Sequence, residues 1–477
     1  MGRKNSQNTK NELDELIYKY ESAKAEEKQI YLDGDQFADI ADWYAKELRF
    51  EDAQEVIDYG LRIHPGNTSL LIEQAYLYLD MQKVSQAKRV ADCITETYDT
   101  QVKMLKAEIL LNEDKPEEAQ HLINTIENVH EIETIVDIIY LYLDTGYPEA
   151  AEEWINKGKA LYSEEEEFIA VLAEYLAGIQ HPEEAIQYFN KLINKEPYNS
   201  FYWTELAKCY FSIDNIEKTI EACDFALAAN DKHGEAYLYR AHGYFYLHNL
   251  DDAIENYKKA IEYKALPPAL GYIFMSMSYF TEKAWQEASE CCDEVIRLFE
   301  KDGEADSPLL IETYNTQAIA AVKMGRYEEA HRICEKAKSI HPKSALIFLT
   351  EGKVYLAEKM EKKAEAEFKK AIEFNSNVVI WYMVGVAYTE LDYIDKAKKY
   401  YEKAYKINPN YKDLPERLSL ISIITNDLEG FLKYNKACKF PLEEEGLRSL
   451  MDGAEYKKED ELIKKVLEQL RENTKLY

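Results

Sequence analysis

Cys291 and Cys292 are adjacent thiols, an arrangement that suits vicinal redox chemistry. Glu164 to Glu167 is a run of carboxylates of the kind used for acid–base or metal chemistry. Nine histidines are scattered along the chain, and His242 and His248, six apart, cannot share one helix face. There is no Gly-rich phosphate loop, no HExxH and no nucleophile elbow. The seven cysteines, Cys93, Cys209, Cys223, Cys291, Cys292, Cys334 and Cys438, contain no CxxC pair, which argues against a zinc site or a disulfide framework. Each of these groups also has a plainer reading. The glutamates open a helix, where acids suit the positive end of the macrodipole. Cys223, Cys292 and Cys334 each fall four residues after a recurring small residue, on a buried stripe where a thiol is an apolar filler.

That small residue organises the chain. Ala53, Ala87, Ala119, Ala151, Ala185, Thr219, Ala253, Ala288, Ala330, Ala364 and Ala397 follow one another at 32 to 35 residues, with one step of 42. A second row runs twelve ahead: Ala41, Ala75, Ala107, Ile139, Ala173, Ala207, Ala241, Ser276, Ala318, Gly352 and Gly385. In the unit beginning at Ser200, Trp203, Leu206, Ala207 and Tyr210 make an amphipathic first helix. Asp214 and Asn215 make a turn, and Thr219, Cys223 and Ala226 lie on one face of a second helix. Small residues in both rows let the two axes approach, with aromatics filling the grooves. Pro65, Pro197, Pro342 and Pro409, each twelve after its row residue, end second helices. His64 and His341, in IHPGN and IHPKS, are then joint residues.

On these residues the chain resembles the tetratricopeptide repeat family. Trp381, Val384, Gly385, Tyr388, Ala397, Tyr401, Ala404 and Pro409 follow the family pattern almost completely. Tyr237, Ala241, Tyr244, Ala253, Tyr257 and Ala260 follow it well, as do Gly352, Tyr355, Ala364, Phe368 and Ala371. The resemblance implies an all-α fold, a right-handed α-solenoid of about eleven antiparallel helix pairs with helical caps. Residues 1–33 are expected to form an N-terminal cap on a helix from Glu12 to about Gln29, and residues 34–410 the repeat array. Residues 411–477 hold a degenerate repeat and a charged closing helix over Lys457 to Leu470. Tyr98 to Lys159 departs most from the pattern, so looser packing is expected there. The 300–308 segment, inside the one long step, reads as a hinge loop or a tolerated insertion. Leu13, Leu16 and Tyr20 read as a capping face, with a homodimer seam as the alternative.

The chain carries 89 acidic against 58 basic residues, net −31, a field that repels phosphate backbones and anionic membranes. With no secretory signal and no long apolar run, a cytoplasmic setting is expected. Met1 to Ser6 fits the loose myristoylation pattern, most simply by chance. No catalytic, metal or cofactor constellation stands out, so no enzyme activity and no cofactor are expected.

What remains is a surface. In the resembled family the first helices line a concave face that receives partner segments. Positions three before, one after and four after the small residue share that face. They give Lys208, Phe211, Leu238, His242, Phe245, Ile273, Met277, Phe280, Leu349, Lys353 and Tyr382 as candidate partner-binding residues, with Thr204, Asn315, Ile319, Val322, Leu356, Val386 and Thr389 in the same register. No small-row residue is followed by Asn, which disfavours the family's carboxylate-clamp variant. The expected function is a scaffold holding an apolar or amphipathic protein segment with basic flanks. A regulatory array that changes curvature on binding an effector, and a self-assembling subunit, are the alternatives.

Overall fold

The computed structural model describes residues 7–26, 28–303 and 307–442. The Met1 to Ser6 pattern, the middle of the 300–308 segment and the helix expected over Lys457 to Leu470 lie outside the described residues. Among the described residues the regular structure is helical throughout, and α1 is Gln7–Ala25. Helix pairs follow: α2 (Gly34–Lys46) with α3 (Phe50–Ile63), α4 (Thr68–Asp80) with α5 (Val84–Ala91), α6 (Thr100–Asn112) with α7 (Pro116–Ile123), and α8 (Ile132–Asp144) with α9 (Pro148–Tyr162). Next come α10 (Glu166–Gly178) with α11 (Pro182–Lys195), α12 (Ser200–Ser212) with α13 (Ile216–Ala229), α14 (Gly234–Tyr246) with α15 (Leu250–Glu262), and α16 (Pro268–Thr281) with α17 (Trp285–Asp302). The last are α18 (Pro308–Lys323) with α19 (Tyr327–Ile340), α20 (Ala345–Ala357) with α21 (Glu361–Phe374), α22 (Val378–Thr389) with α23 (Ile394–Ile407), and α24 (Leu414–Ile424) with α25 (Leu428–Asn435). The architecture is an α-solenoid. The residues form two compact units, Met1–Tyr239 and Arg240–Tyr477, the change falling inside α14, and the 300–308 segment belongs to the second.

Both small rows are buried in both units. Their role is clearest where the residue is glycine. A methyl group on Gly385 of α22 would lie 2.6 Å from the Tyr401 ring of α23, and the Phe368 ring of α21 sits against Gly352 of α20 in the same way. The backbones therefore approach until an aromatic ring rests on bare main chain. First helices also touch their successors: α2 meets α4, α4 meets α6, α6 meets α8 and α8 meets α10, while α18 meets α20 and α20 meets α22. A helix packed on two sides must be apolar nearly all round, as α8 and α22 are. Second helices carry one buried stripe and a charged outer face, as in α23 with Ala397, Tyr401 and Ala404 inside.

One residue in each turn inside a pair has a left-handed backbone: Leu48, Gln82, Asp114, Gly146, Gln180, Asp214, His248, Lys283, Gly325, Lys359, Asp392 and Asn426. The first eleven repeat the spacing of the alanine row, each lying five residues before it, and Asn426 stands in the same relation to Phe431 of the further pair. Several pairs are opened by side-chain caps: Asp33 and Gln36 form a capping box, Asn67 accepts from Leu70 N, and Asn377 from Ile380 N.

The N-terminal helix stops at Ala25 rather than near Gln29, because the chain there is drawn out to meet the first pair. Ile30 exchanges two hydrogen bonds with the Tyr59 hydroxyl, donating at 3.1 Å and accepting at 2.9 Å. Ile17 and Tyr20 are buried against the first pair, Tyr20 edge-on to Phe37, and Leu13 and Leu16 pack on the same cluster. That face is covered by the chain's own array. In the stretch expected to be loose, Tyr98 to Lys159, α7 has only eight residues, yet Ile139 and Trp154 are fully buried in one continuous core. The degenerate region forms a further pair, α24 and α25. Burial pushes the Cys291 thiol up to about 11 and those of Cys292 and Cys334 up to about 12, so they remain protonated filler. His64 closes α3, with Nε2 2.8 Å from Leu32 O, and His341 closes α19 in the same backbone geometry.

Gly385→Val should destabilise the second unit by about 1–3 kcal/mol through overpacking on Tyr401, read as a lower midpoint in urea. Lys359→Gly, at an exposed left-handed position, should raise the same midpoint by about 0.5–1 kcal/mol.

Candidate first-helix binding faces

In the first unit, the residue following each small residue runs Asp42, Tyr76, Glu108, Tyr140, Glu174 and Lys208 down successive first helices. Its first four members line a cavity of about 710 Å³ whose walls come from α2, α4, α6 and α8. Six carboxylates border it: Asp42, Glu73, Asp80, Glu108, Asp137 and Asp144. Between them lie apolar and aromatic surfaces, among them Met104, Leu141 and the rings of Tyr76 and Tyr140. Lys46 pairs with Asp42 at 2.9 Å. Among the described residues no cation lies within ion-pair distance of Asp80, Glu108 or Asp137.

The electrostatic result is a set of carboxyls reluctant to ionise. Burial, then Asp144 and Asp80, pushes Glu108 up from its ordinary 4.5 to about 7. Asp80 is raised by burial and by Asp42, and Asp137 by burial with Glu133 and Glu167 adding to it. Further along, the Tyr140 hydroxyl donates to Glu174 Oε1 at 2.9 Å, and burial lifts Glu174 to about 7. An incoming ammonium or guanidinium would satisfy these groups and could rest on the Tyr76 and Tyr140 rings. None of the cavity residues is among the expected site residues. The same register, one after the small residue, identifies Asp42, Tyr76, Glu108 and Tyr140, whereas the expected residues lie from Thr204 onward, where apolar residues dominate.

The expected residues are placed as follows. Lys208 is held by Glu205 at 2.7 Å and Glu235 at 3.1 Å, and Phe211 meets the Tyr239 ring edge-on. Leu238, Phe245 and Ile273 are half-buried, and Met277 is 47% exposed. His242 turns inward: Nδ1 lies 2.9 Å from the Tyr257 hydroxyl and its ring meets Phe274 edge-on, while burial lowers its pKa. Phe280 packs edge-on to Trp285. Leu349 has no exposed surface, being enclosed by the core between neighbouring helices. Tyr382 is buried and its hydroxyl donates to Asp413 at 2.6 Å, so it acts as a packing and bonding residue. Lys353 is half-buried. Among the described residues no cluster of His, Cys, Asp and Glu is arranged to hold a metal ion, and no helix is long and apolar enough to cross a membrane.

An unfolded glutamate ionises near 4.5, whereas Glu108 keeps its proton to about 7, so folding favours the protonated form. Its contribution is most favourable below the unfolded value and declines as pH rises through the folded one. Glu108→Gln is therefore expected to be more stable than the parent by about 1–2 kcal/mol near pH 8 after allowance for solvent screening, with the gap closing below about pH 5. Urea melts at several pH values measure it.

Residues 269–343 and 378–411 match models described as tetratricopeptide repeats. Anaphase-promoting complex subunit 7 of Dictyostelium discoideum is 23% identical over 253 residues, 50% of this chain and 40% of that protein. The DnaJ homolog subfamily C member 7 homolog of the same organism is 24% identical over 251 residues, 46% of each chain. The chain thus spans less than half the length of these curated relatives. A tetratricopeptide repeat protein from Parabacteroides merdae is 19% identical, covering 54% of this chain and 98% of that one, with a TM-score of 0.38. With two separate repeat matches falling in register with the helix pairs, this chain is a tetratricopeptide repeat protein.

Proposed function

We propose that the chain is a non-catalytic interaction scaffold and that the first-helix face of its N-terminal unit holds a basic segment of another protein. The observation carrying this reading is the cavity walled by α2, α4, α6 and α8, where among the described residues no cation lies within ion-pair distance of Asp80, Glu108 or Asp137, and the rings of Tyr76 and Tyr140 lie beside them. Desolvated carboxylates aligned along a groove favour lysine or arginine, and the apolar surfaces between them suit the aliphatic stems of those residues. Repeat arrays act by presenting such continuous faces. The two curated relatives, named as a subunit of a complex and as a DnaJ homolog, accord with a role in protein assembly. The basic flanks expected from the overall charge become, on this reading, the main feature recognised. In the second unit the exposed Met277 supports a separate apolar contact with a partner.

The test is calorimetric titration of the full chain with a synthetic dodecapeptide of alternating lysine and leucine. The triple variant Asp80→Asn, Glu108→Gln, Asp137→Asn should bind at least tenfold more weakly, roughly 1.4 kcal/mol or more. A control neutralising Glu117, Glu118 and Glu183, exposed on second helices, should bind as the parent does. Equal loss in both variants would mean that only net charge is sensed, and the groove assignment would fall.

A further inference from the structure

On the first-helix face of the second unit, Lys353 is a cation with no ion pair among the described residues. Lys353 lies on α20 immediately after Gly352, in the same register as Ile319 on α18 and Val386 on α22, the two helices that pack on either side. Leu349 and Leu356, four before and three after it on the same face, are fully buried, so the lysine stem rises between packed leucines. The acids of its own helix are engaged elsewhere. Glu351 is bonded to Lys338, which also donates to Glu367 at 2.8 Å. Glu358 accepts from His331 at 2.8 Å. Among the described residues no carboxylate lies within ion-pair distance of Lys353. The charges that it feels, Glu390 and Lys323, oppose each other, and burial lowers its pKa.

A half-buried ammonium without a counter-ion destabilises its surroundings unless something supplies one. We propose that Lys353 receives the carboxylate of an internal Asp or Glu in an extended partner segment whose apolar side chains sit on Ile319 and Val386. The acid is internal rather than a chain end because apolar residues in the same register flank Lys353 on both sides. Neighbouring helix axes lie about 8–10 Å apart and an extended chain advances about 3.3 Å per residue. The recognised pattern is therefore apolar, acid, apolar, with about three residues from each to the next. One acid is accommodated, whereas a polyacidic segment would be repelled by the net charge of −31.

The probe is a phage-displayed random dodecapeptide library, fused through its C-terminus so that no free terminal carboxylate is offered, panned on the full chain. Selected peptides are then synthesised with amidated ends and measured by fluorescence anisotropy. Acid-centred peptides with that spacing should be enriched, and Lys353→Met should bind them at least tenfold more weakly. Lys353→Glu should instead prefer the same peptide with lysine in place of the acid. The proposal is overturned if no acid-centred peptide is selected, or if Lys353→Met binds within twofold of the parent. Lys353→Met should also melt at or above the parent temperature. A lower melting temperature would show that the ammonium serves a structural partner and would overturn the assignment. Glu108→Gln should leave this binding unchanged, so failure here is separable from failure of the acidic-groove reading.

Discussion

The close approach of two helix backbones at a residue with almost no side chain is the contact on which the rest depends. With Gly352 beneath Phe368 and Gly385 beneath Tyr401, an aromatic ring substitutes for the side chain that is missing from the facing helix. Where the row residue is alanine the same closeness is kept, and the residue is buried. Because each pair is drawn tight, the first helices are left to stack on one another, and their outward positions line up into a face. The face is a by-product of that packing, and whatever residues occupy it are largely free of a role in the pair itself.

That separation explains what could be read from the chain beforehand. The two small rows, the prolines twelve residues on and the buried thiols follow from periodicity alone, since each depends on neighbours within one repeat. The face was found by register, but register does not say how a helix is rotated or what lies across from it. His242 is in the right place in the sequence and is turned to Tyr257, because a hydroxyl sits within reach on α15. Tyr382 is held by Asp413, a partner thirty-one residues away with no periodic signature. Leu349 is enclosed by neighbouring helices. The acidic cavity is not legible in the sequence because Asp80 and Glu108 look like ordinary surface charge in so acidic a chain, and only desolvation by the surrounding helices makes them unusual. The left-handed turns were also hidden: Leu48, Gln82 and Lys359 occupy a conformation that sequence propensity assigns to glycine or asparagine.

The large negative charge is not spread evenly in its effect. On second helices many acids sit one turn from a lysine or arginine, as Glu153 with Lys157 and Glu294 with Arg297 do, and these exposed pairs contribute little to stability. Inside the second unit, Lys338, Glu351, Glu367 and Lys370 form a connected ionic group, and His331 joins it through Glu351. Three acids of the N-terminal cavity, Asp80, Glu108 and Asp137, belong to neither class. They are desolvated enough to resist ionisation, and among the described residues no cation lies within ion-pair distance of them. Charge that is neutralised elsewhere is here held ready.

The cavity between α2 and α8 draws its walls from four consecutive repeats, from Asp42 to Asp144. In an array whose units contact only their neighbours, each of those repeats can fray with little regard for the others. A ligand lying across all four would change that, since losing any one wall would forfeit part of the same binding energy. Amide hydrogens on α2, α4, α6 and α8 would then exchange as one cooperative block rather than as a gradient from the end of the stack. Occupancy of the groove would be written in the unit of unfolding, even where no backbone atom moves.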